Sequence, residues 1–339
     1  MRVLSLRELN RTLLLRQLLL RRAPLTPTRA IERVASLQAQ WVPSPYVALW
    51  SRIEGFERDG LTRALGRRSV LKASLMRGTL HLVSARDYRL YDTALRRDPA
   101  PWTTGRPEPA PELVRAVTSF ASEPRSGAEL RAFIQERRGP GTDEENHRDL
   151  NWLRHLIPLV PQPESGMWGF VRGVRLRAYD GPEPSHDEAL AHLVHRYLAA
   201  FGPATRADLA AWSGQVLKTL DPALERMPLR RFLDEEGRQL LDLPRAPLAE
   251  AGAKAPVRFL SRWDELLIGH ADRRRVIPEE HEARKLVLAG AQTVLVDGGV
   301  AGTWTFERGR VAVEPFDPLP HGVRRELEDE SSRLAAFLG

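Results

Sequence analysis

The sequence predicts a mainly α protein with small β-hairpins, an α+β chain of three tandem winged-helix units followed by a C-terminal antiparallel β module. Two observations lead there. Up to residue 245, helix-start signals recur three times, and each set closes in a short strand-like stretch around a glycine. Short helices followed by a small hairpin are the pattern of a winged helix. From residue 256 onward the pattern changes to alternating apolar and polar residues between turn signals, as in an antiparallel sheet.

In order, Ser5-Leu6-Arg7-Glu8 has the form of a capping box and opens a helix through about Leu20. Thr26-Pro27 supplies a cap and a proline at the first helical position for a second helix carrying Ile31, Val34 and Leu37. Ser44-Pro45 repeats that signature before Tyr46 to Ile53, and Ala73 to Val83 reads as strand-like with Gly78 near its middle. These elements define a first unit over 1–96, and the proline-rich stretch 97–111 reads as a linker. The second unit, 112–180, carries a capping box at Ser126-Gly127-Ala128-Glu129, a helix with Leu153 and Leu156, and a hairpin from Trp168 to Tyr179 with Gly173 near its turn. The third, 185–245, opens at Ser185-His186-Asp187-Glu188 and breaks at Gly202-Pro203. It restarts at Thr205-Arg206-Ala207-Asp208 and turns at Glu235-Glu236-Gly237. A faint echo supports repetition: Thr28-Arg29-Ala30 is followed by Gln38 at the same spacing as Thr205-Arg206-Ala207 by Gln215. In the last unit, 256–339, Val257 to Leu260 and Val294 to Val313 read as strands. Asp297-Gly298-Gly299 and Glu307-Arg308-Gly309-Arg310 are the turns between them, and a helix from about Val323 to Leu338 closes the chain.

Composition bounds the chemistry. Hydrophobic residues make up 42% of 339, as in a globular protein. The absence of cysteine excludes disulfides, thiolate metal sites and a cysteine nucleophile. No apolar run is long enough for a membrane span. Leu13 to Leu20 is interrupted by Arg16 and Gln17 and does not read as a secretory signal, so a cytoplasmic location is expected. Net charge is +7, and nearly all the basic residues are arginine. That suits phosphate recognition, and it is equally what a GC-rich coding sequence produces. His186, His192 and His195 cluster on one predicted helix without a metal-binding motif, and no phosphate-binding glycine loop is present. No cofactor or metal is expected.

The densest functional signal is Gln38-Ala39-Gln40, followed by Trp41-Val42-Pro43. On a helix, residues two apart diverge; on extended chain they share a face. If the helix ends near Gln38, as Pro43 favours, both amides face one pocket, each with an acceptor and two donors. On residues alone, a helix end with two solvated amides stands beside that reading. Trp41 and Tyr46 are candidates for a stacking pocket or for the core. Arg77, Thr79 and His81 alternate on one face of the first hairpin, either as DNA-contact candidates on a wing or as an ordinary exposed strand face. Arg273 and Arg275 are further candidates for DNA contact, with Asp264 and Asp272 either orienting an arginine against DNA or bridging modules.

Several segments in order resemble the AlkZ-like (AlkZ/YcaQ) winged-helix DNA glycosylases. They are Gln38-Ala39-Gln40, Met76-Arg77-Gly78-Thr79-Leu80-His81-Leu82, Phe201-Gly202-Pro203-Ala204-Thr205, Ala211-Trp212-Ser213-Gly214, the run from Trp263 to Arg273, and the run from Val296 to Trp304. The resemblance implies three winged helices and a β module arranged as a C-shaped clamp on double-stranded DNA, with Gln38 and Gln40 catalytic in the Gln-x-Gln subgroup. It implies hydrolysis of N-glycosidic bonds of bulky or cationic N7- or N3-alkylated purines, including unhooking of interstrand crosslinks. A monomeric, nucleoid-associated enzyme follows as an expectation. The four lysines, at 72, 218, 254 and 285, occupy no motif, so lyase chemistry through a Schiff base is not expected. The competing reading is a non-catalytic winged-helix regulator or scaffold.

Overall fold

A computed structural model describes residues 1–96, 109–138, 149–150, 152–154, 156–162, 168, 174–282 and 289–339. Helix α1 (Leu6–Arg16) starts at the Ser5–Glu8 capping box. It stops four residues before the expected end, because Leu18 takes a left-handed conformation with φ 58° that cannot continue a right-handed helix. Unit one then runs α2 (Pro27–Arg33), β1 (Leu37–Gln38), α3 (Ser44–Arg52), α4 (Arg58–Gly66), β2 (Val70–Ser74) and β3 (Leu80–Ser84). Thr26 caps α2 as expected, but α2 ends at Arg33 rather than running past Leu37, since Ala35 sits at φ 74°. Ser44 is the first residue of α3 instead of its cap; its hydroxyl donates to the Arg262 carbonyl at 3.0 Å. The three strands pair antiparallel in the order β1-β3-β2. Helix α5 (Ala85–Arg96) follows directly.

Unit two repeats the order with α6 (Pro111–Phe120), β4 (Arg125–Ser126), α7 (Gly127–Arg138), β5 (Leu159–Pro161) and β6 (Arg175–Ala178), paired β4-β6-β5. The Ser126–Glu129 box forms reciprocally, at 2.7 and 3.2 Å. Gly173 and most of the expected second hairpin turn lie outside the described residues. Unit three runs α8 (His186–Phe201), α9 (Arg206–Ser213), α10 (Leu217–Arg226), β7 (Arg230–Leu233) and β8 (Gln239–Asp242). Its first strand is reduced to Ala204, bridged to Leu241. Strand β9 (Arg258–Phe259) precedes the short helices α11 (Glu265–Ile268) and α12 (Glu279–Glu282); β10 (Thr293–Val296), β11 (Gly299–Glu307) and β12 (Arg310–Pro315) follow them, and these strands pair in the order β12-β11-β10-β9. Helix α13 (His321–Leu338) packs on β12.

The sheet of unit one lies between two cores. Leu37, Ala39, Val70 and Leu82 point into the unit's own core with Ile31, Leu49 and Leu61. Leu71, Ala73 and Val83 point the other way, into a core shared with Tyr91, Tyr197, Phe201 and Trp212. The two-residue strand period puts Gln38 and its register partner His81 on that second, shared side. Unit two keeps a separate core around Val117, Leu130, Ile134 and Leu153. Among the described residues no helix is long and apolar enough to cross a membrane.

Candidate active site

The left-handed turn at Ala35 ends α2 early enough for Leu37 to Gln40 to lie extended along β3. The Ala39 N–H donates to the Leu80 carbonyl at 2.7 Å, and the Leu80 N–H donates to Gln40 Oε1 at 2.9 Å. The Gln40 side-chain oxygen thus takes the ladder position a backbone carbonyl would fill, which holds it toward β3. Gln40 is exposed. Gln38 is half-buried, and its Oε1 is buried with no hydrogen-bond donor among the described residues. The pair therefore offers complementary groups, an acceptor from Gln38 and donors from Gln40.

Behind Gln38 lies a polar cluster in the shared core. His81 is fully buried; its Nδ1 is 2.8 Å from the Thr79 carbonyl and its Nε2 3.0 Å from Glu265 Oε1. Glu265, at the start of α11, also accepts from Trp212 Nε1 at 3.2 Å and lies 3.6 Å from Arg77 Nη2. Burial pushes the Glu265 carboxyl upward, but the Arg77 guanidinium, His81 and the Trp212 N–H outweigh it and hold the group below its ordinary range. Glu265 and Trp212 are site residues that residue-type reasoning missed. Both lie in segments that carry the family resemblance, Trp263–Arg273 and Ala211–Gly214, in which the candidates by residue type are Asp264, Asp272 and Arg273.

The remaining candidates separate into groups. Arg77, at φ 56°, sits in a tight turn that breaks the expected alternation, and its Nη1 donates to the Trp212 carbonyl. The turn is docked on unit three, where a Cβ on Gly214 would come within 3.2 Å of the Arg77 backbone. Thr79 is half-buried and donates to the Met76 carbonyl. His81 and Arg275 are corrections: both are interior, so neither side chain presents a face to DNA. Arg275 donates to the Pro203 carbonyl at 2.7 Å and stands 3.2 Å from His270 Nε2. Arg273 is half-buried. Tyr46 is a core residue, with its hydroxyl 3.1 Å from Thr62 and its ring edge-on to Trp168. Trp41 does line a cavity of about 570 Å³, with Arg262, Gln292 and Thr303 to Glu307, and Arg262 lies over its ring at 4.8 Å. Asp264 forms a fully buried bidentate pair with Arg52 at 2.6 and 2.9 Å and caps α11. Asp272 pairs with Arg274 and Arg238, beside the unit-three hairpin turn, and those partners hold its carboxyl well below the ordinary range. Both aspartates bridge modules.

Helix-and-hairpin units in tandem, with the two amides beside β3 of the first, have the form of a winged-helix protein. The chain belongs to the AlkZ-like DNA glycosylase family, whose model matches residues 31–337. An interstrand DNA cross-link repair glycosylase from Streptomyces sahachiroi is 26% identical over 96% of this chain and 94% of that protein. The solved structure of Streptomyces sahachiroi DNA glycosylase AlkZ superposes with a TM-score of 0.84 at 23% identity, covering 98% and 97% of the two chains, a likeness of fold.

Proposed function

We propose that this chain hydrolyses the N-glycosidic bond of N7- or N3-alkylated purines in double-stranded DNA, with Gln38 and Gln40 placing the attacking water. The observation that carries the reading is the buried, donorless Oε1 of Gln38 two residues from the exposed amide of Gln40, whose oxygen is held by the Leu80 N–H. Leaving a buried acceptor unpaired costs about 1–3 kcal/mol, a cost that a bound water repays. An amide does not titrate and cannot serve as a general base. It suffices where the leaving group is already cationic, because the alkylated purine departs with the bonding pair as a neutral base. Water then adds to C1′ of the sugar cation and releases its proton to solvent. The protein's part is placement and oriented dipoles.

The name of the curated relative supports extending the substrate to crosslinked purines, whose excision from one strand unhooks the two. Arg77, Thr79 and Arg273 retain exposed surface and are proposed to face the DNA backbone, with Trp41 walling the adduct. A hydrolytic reaction without a lyase step fits the placement of Lys72, which lies on the sheet face opposite Gln38. The units 1–96, 112–180, 185–245 and 256–339 would act as a monomeric clamp in the cytoplasm, at the nucleoid.

The test is excision of 7-methylguanine from duplexes of varied sequence, read as alkali-labile abasic sites. Gln38→Ala and Gln40→Ala should each slow excision by about a hundredfold or more while DNA binding persists. Unchanged excision in both would falsify the proposal. Preference for one sequence without abasic sites would identify a regulator instead.

A further inference from the structure

Glu265 takes no part in placing water, yet it is a fully buried carboxylate, and burying a charge is costly unless it is well paired. Its partners come from separate parts of the chain: His81 from β3, Arg77 from the β2–β3 turn, and Trp212 from α9 of unit three. The carboxylate stands where units one and three meet the C-terminal segment. It contacts only one ring nitrogen of His81; the other faces the Thr79 carbonyl at 2.8 Å. With a carbonyl at one ring nitrogen and a carboxylate oxygen 3.0 Å from the other, the imidazole is confined between the two.

In the sheet register His81 lies directly opposite Gln38. Directly opposed residues project to the same face, with Cβ atoms about 4.5–5.5 Å apart. The imidazole is thus the immediate cross-strand neighbour of the Gln38 amide, and Glu265 is the group that fixes the imidazole. A carboxylate does this better than a neutral acceptor, because its charge acts on the ring across 3.0 Å of buried, low-dielectric interior.

We propose that Glu265 is a positioning residue for base excision, acting through His81 to hold the Gln38 amide in the orientation that receives the water. This rests on the catalytic reading of Gln38. It predicts that removing the charge slows the chemical step itself, read at saturating DNA, because Glu265 is fully buried and touches no DNA, while its partner Arg77 is proposed to face the backbone.

The experiment is single-turnover excision of 7-methylguanine by Glu265→Gln, which keeps the shape and removes the charge, with DNA affinity and thermal midpoint measured alongside. The expected result is a rate about ten- to a hundredfold lower at saturating DNA, a loss that weaker binding through the freed Arg77 cannot produce. His81→Gln should slow the reaction similarly, and the double variant should be no slower than the slower single one, as for residues acting in one chain. A folded Glu265→Gln enzyme within about twofold of the wild-type rate overturns the inference, even if its thermal midpoint falls, because that result describes a purely structural role. If Glu265→Gln does not fold, Trp212→Phe decides. It removes one donor to the carboxylate while keeping a ring in the core, and should lower the rate about three- to tenfold; a wild-type rate overturns the proposal. If Gln38→Ala itself leaves excision unchanged, it is the function proposed above that fails.

Discussion

His270 shows how burial at a single residue sets a pH dependence. Its ring is fully enclosed, with Nε2 3.1 Å from the Phe201 carbonyl oxygen and 3.2 Å from Arg275 Nη1, and it faces Asp208 and Asp272. Burial, reinforced by Arg275, pushes its pKa down to about 4 from 6.5, despite the carboxylates nearby. The folded protein therefore holds His270 neutral where the unfolded chain would protonate it. The unfolded state binds more protons between those values, so stability is fully present above about pH 6.5 and is lost as pH falls toward 4. Thermal midpoints measured over that range should fall with pH, and His270→Asn should flatten that limb of the curve. An unchanged slope in the variant would assign the dependence to other groups. The same residue scale marks the limit of sequence reading. The extended course of Gln38-Ala39-Gln40 was legible because Pro43 disfavours a helix running up to it, and residues two apart on extended chain share a face. Glu265 was not, because its importance lies in partners at 77, 81 and 212 that only the assembled core brings together.

At the scale of elements, caps and turns were the most legible features, because each satisfies its backbone groups within a few residues. The boxes at Ser5, Ser126 and Thr205 all form, and the two glycine turns of the C-terminal sheet fall between β10, β11 and β12 as expected. Helix ends at Leu18 and Ala35 were illegible, since non-glycine residues there adopt φ of 58° and 74° under tertiary demand. The two glycine turns look alike in sequence but differ in surroundings. At Gly298, φ 81°, a Cβ would come within 2.5 Å of Arg11 Nη1 and 2.6 Å of Asn10 Oδ1, in a buried cluster tied to the Asp297 carbonyl. At Gly309, φ 76°, nothing lies within 4 Å. Gly309→Ala should cost about 1 kcal/mol from backbone strain alone. Gly298→Ala should cost about 2–4 kcal/mol, strain and overpacking together. Chemical denaturation of the two variants checks this, and equal losses would contradict the close approach.

At the scale of the whole molecule, the three-unit order was legible, but the sharing of cores was not, since sequence repeats give no sign of which faces meet. The core around Tyr197, Phe201 and Trp212 draws residues from α1, from units one and three and from the β module, whereas unit two contributes to it the buried side chain of Val160. Unit two otherwise packs on itself around Ile134. Two levels of cooperativity follow. Ile134→Ala, a loss of about 2–5 kcal/mol, should raise hydrogen exchange across the described segments of 111–178 while amides in α8 and β8 stay protected. Trp212→Ala, of comparable cost, should raise exchange in β3, α8, α11 and β10 together, because those elements share one core and open as one unit. Exchange that rises uniformly in both variants would show a single cooperative unit. The distinction bears on catalysis. The Gln38 strand is packed between unit one's own core and the shared one, so the site is rigid only while units one and three remain docked. Excision should therefore fail in parallel with exchange at β3, at denaturant concentrations that leave the Ile134 core intact or not.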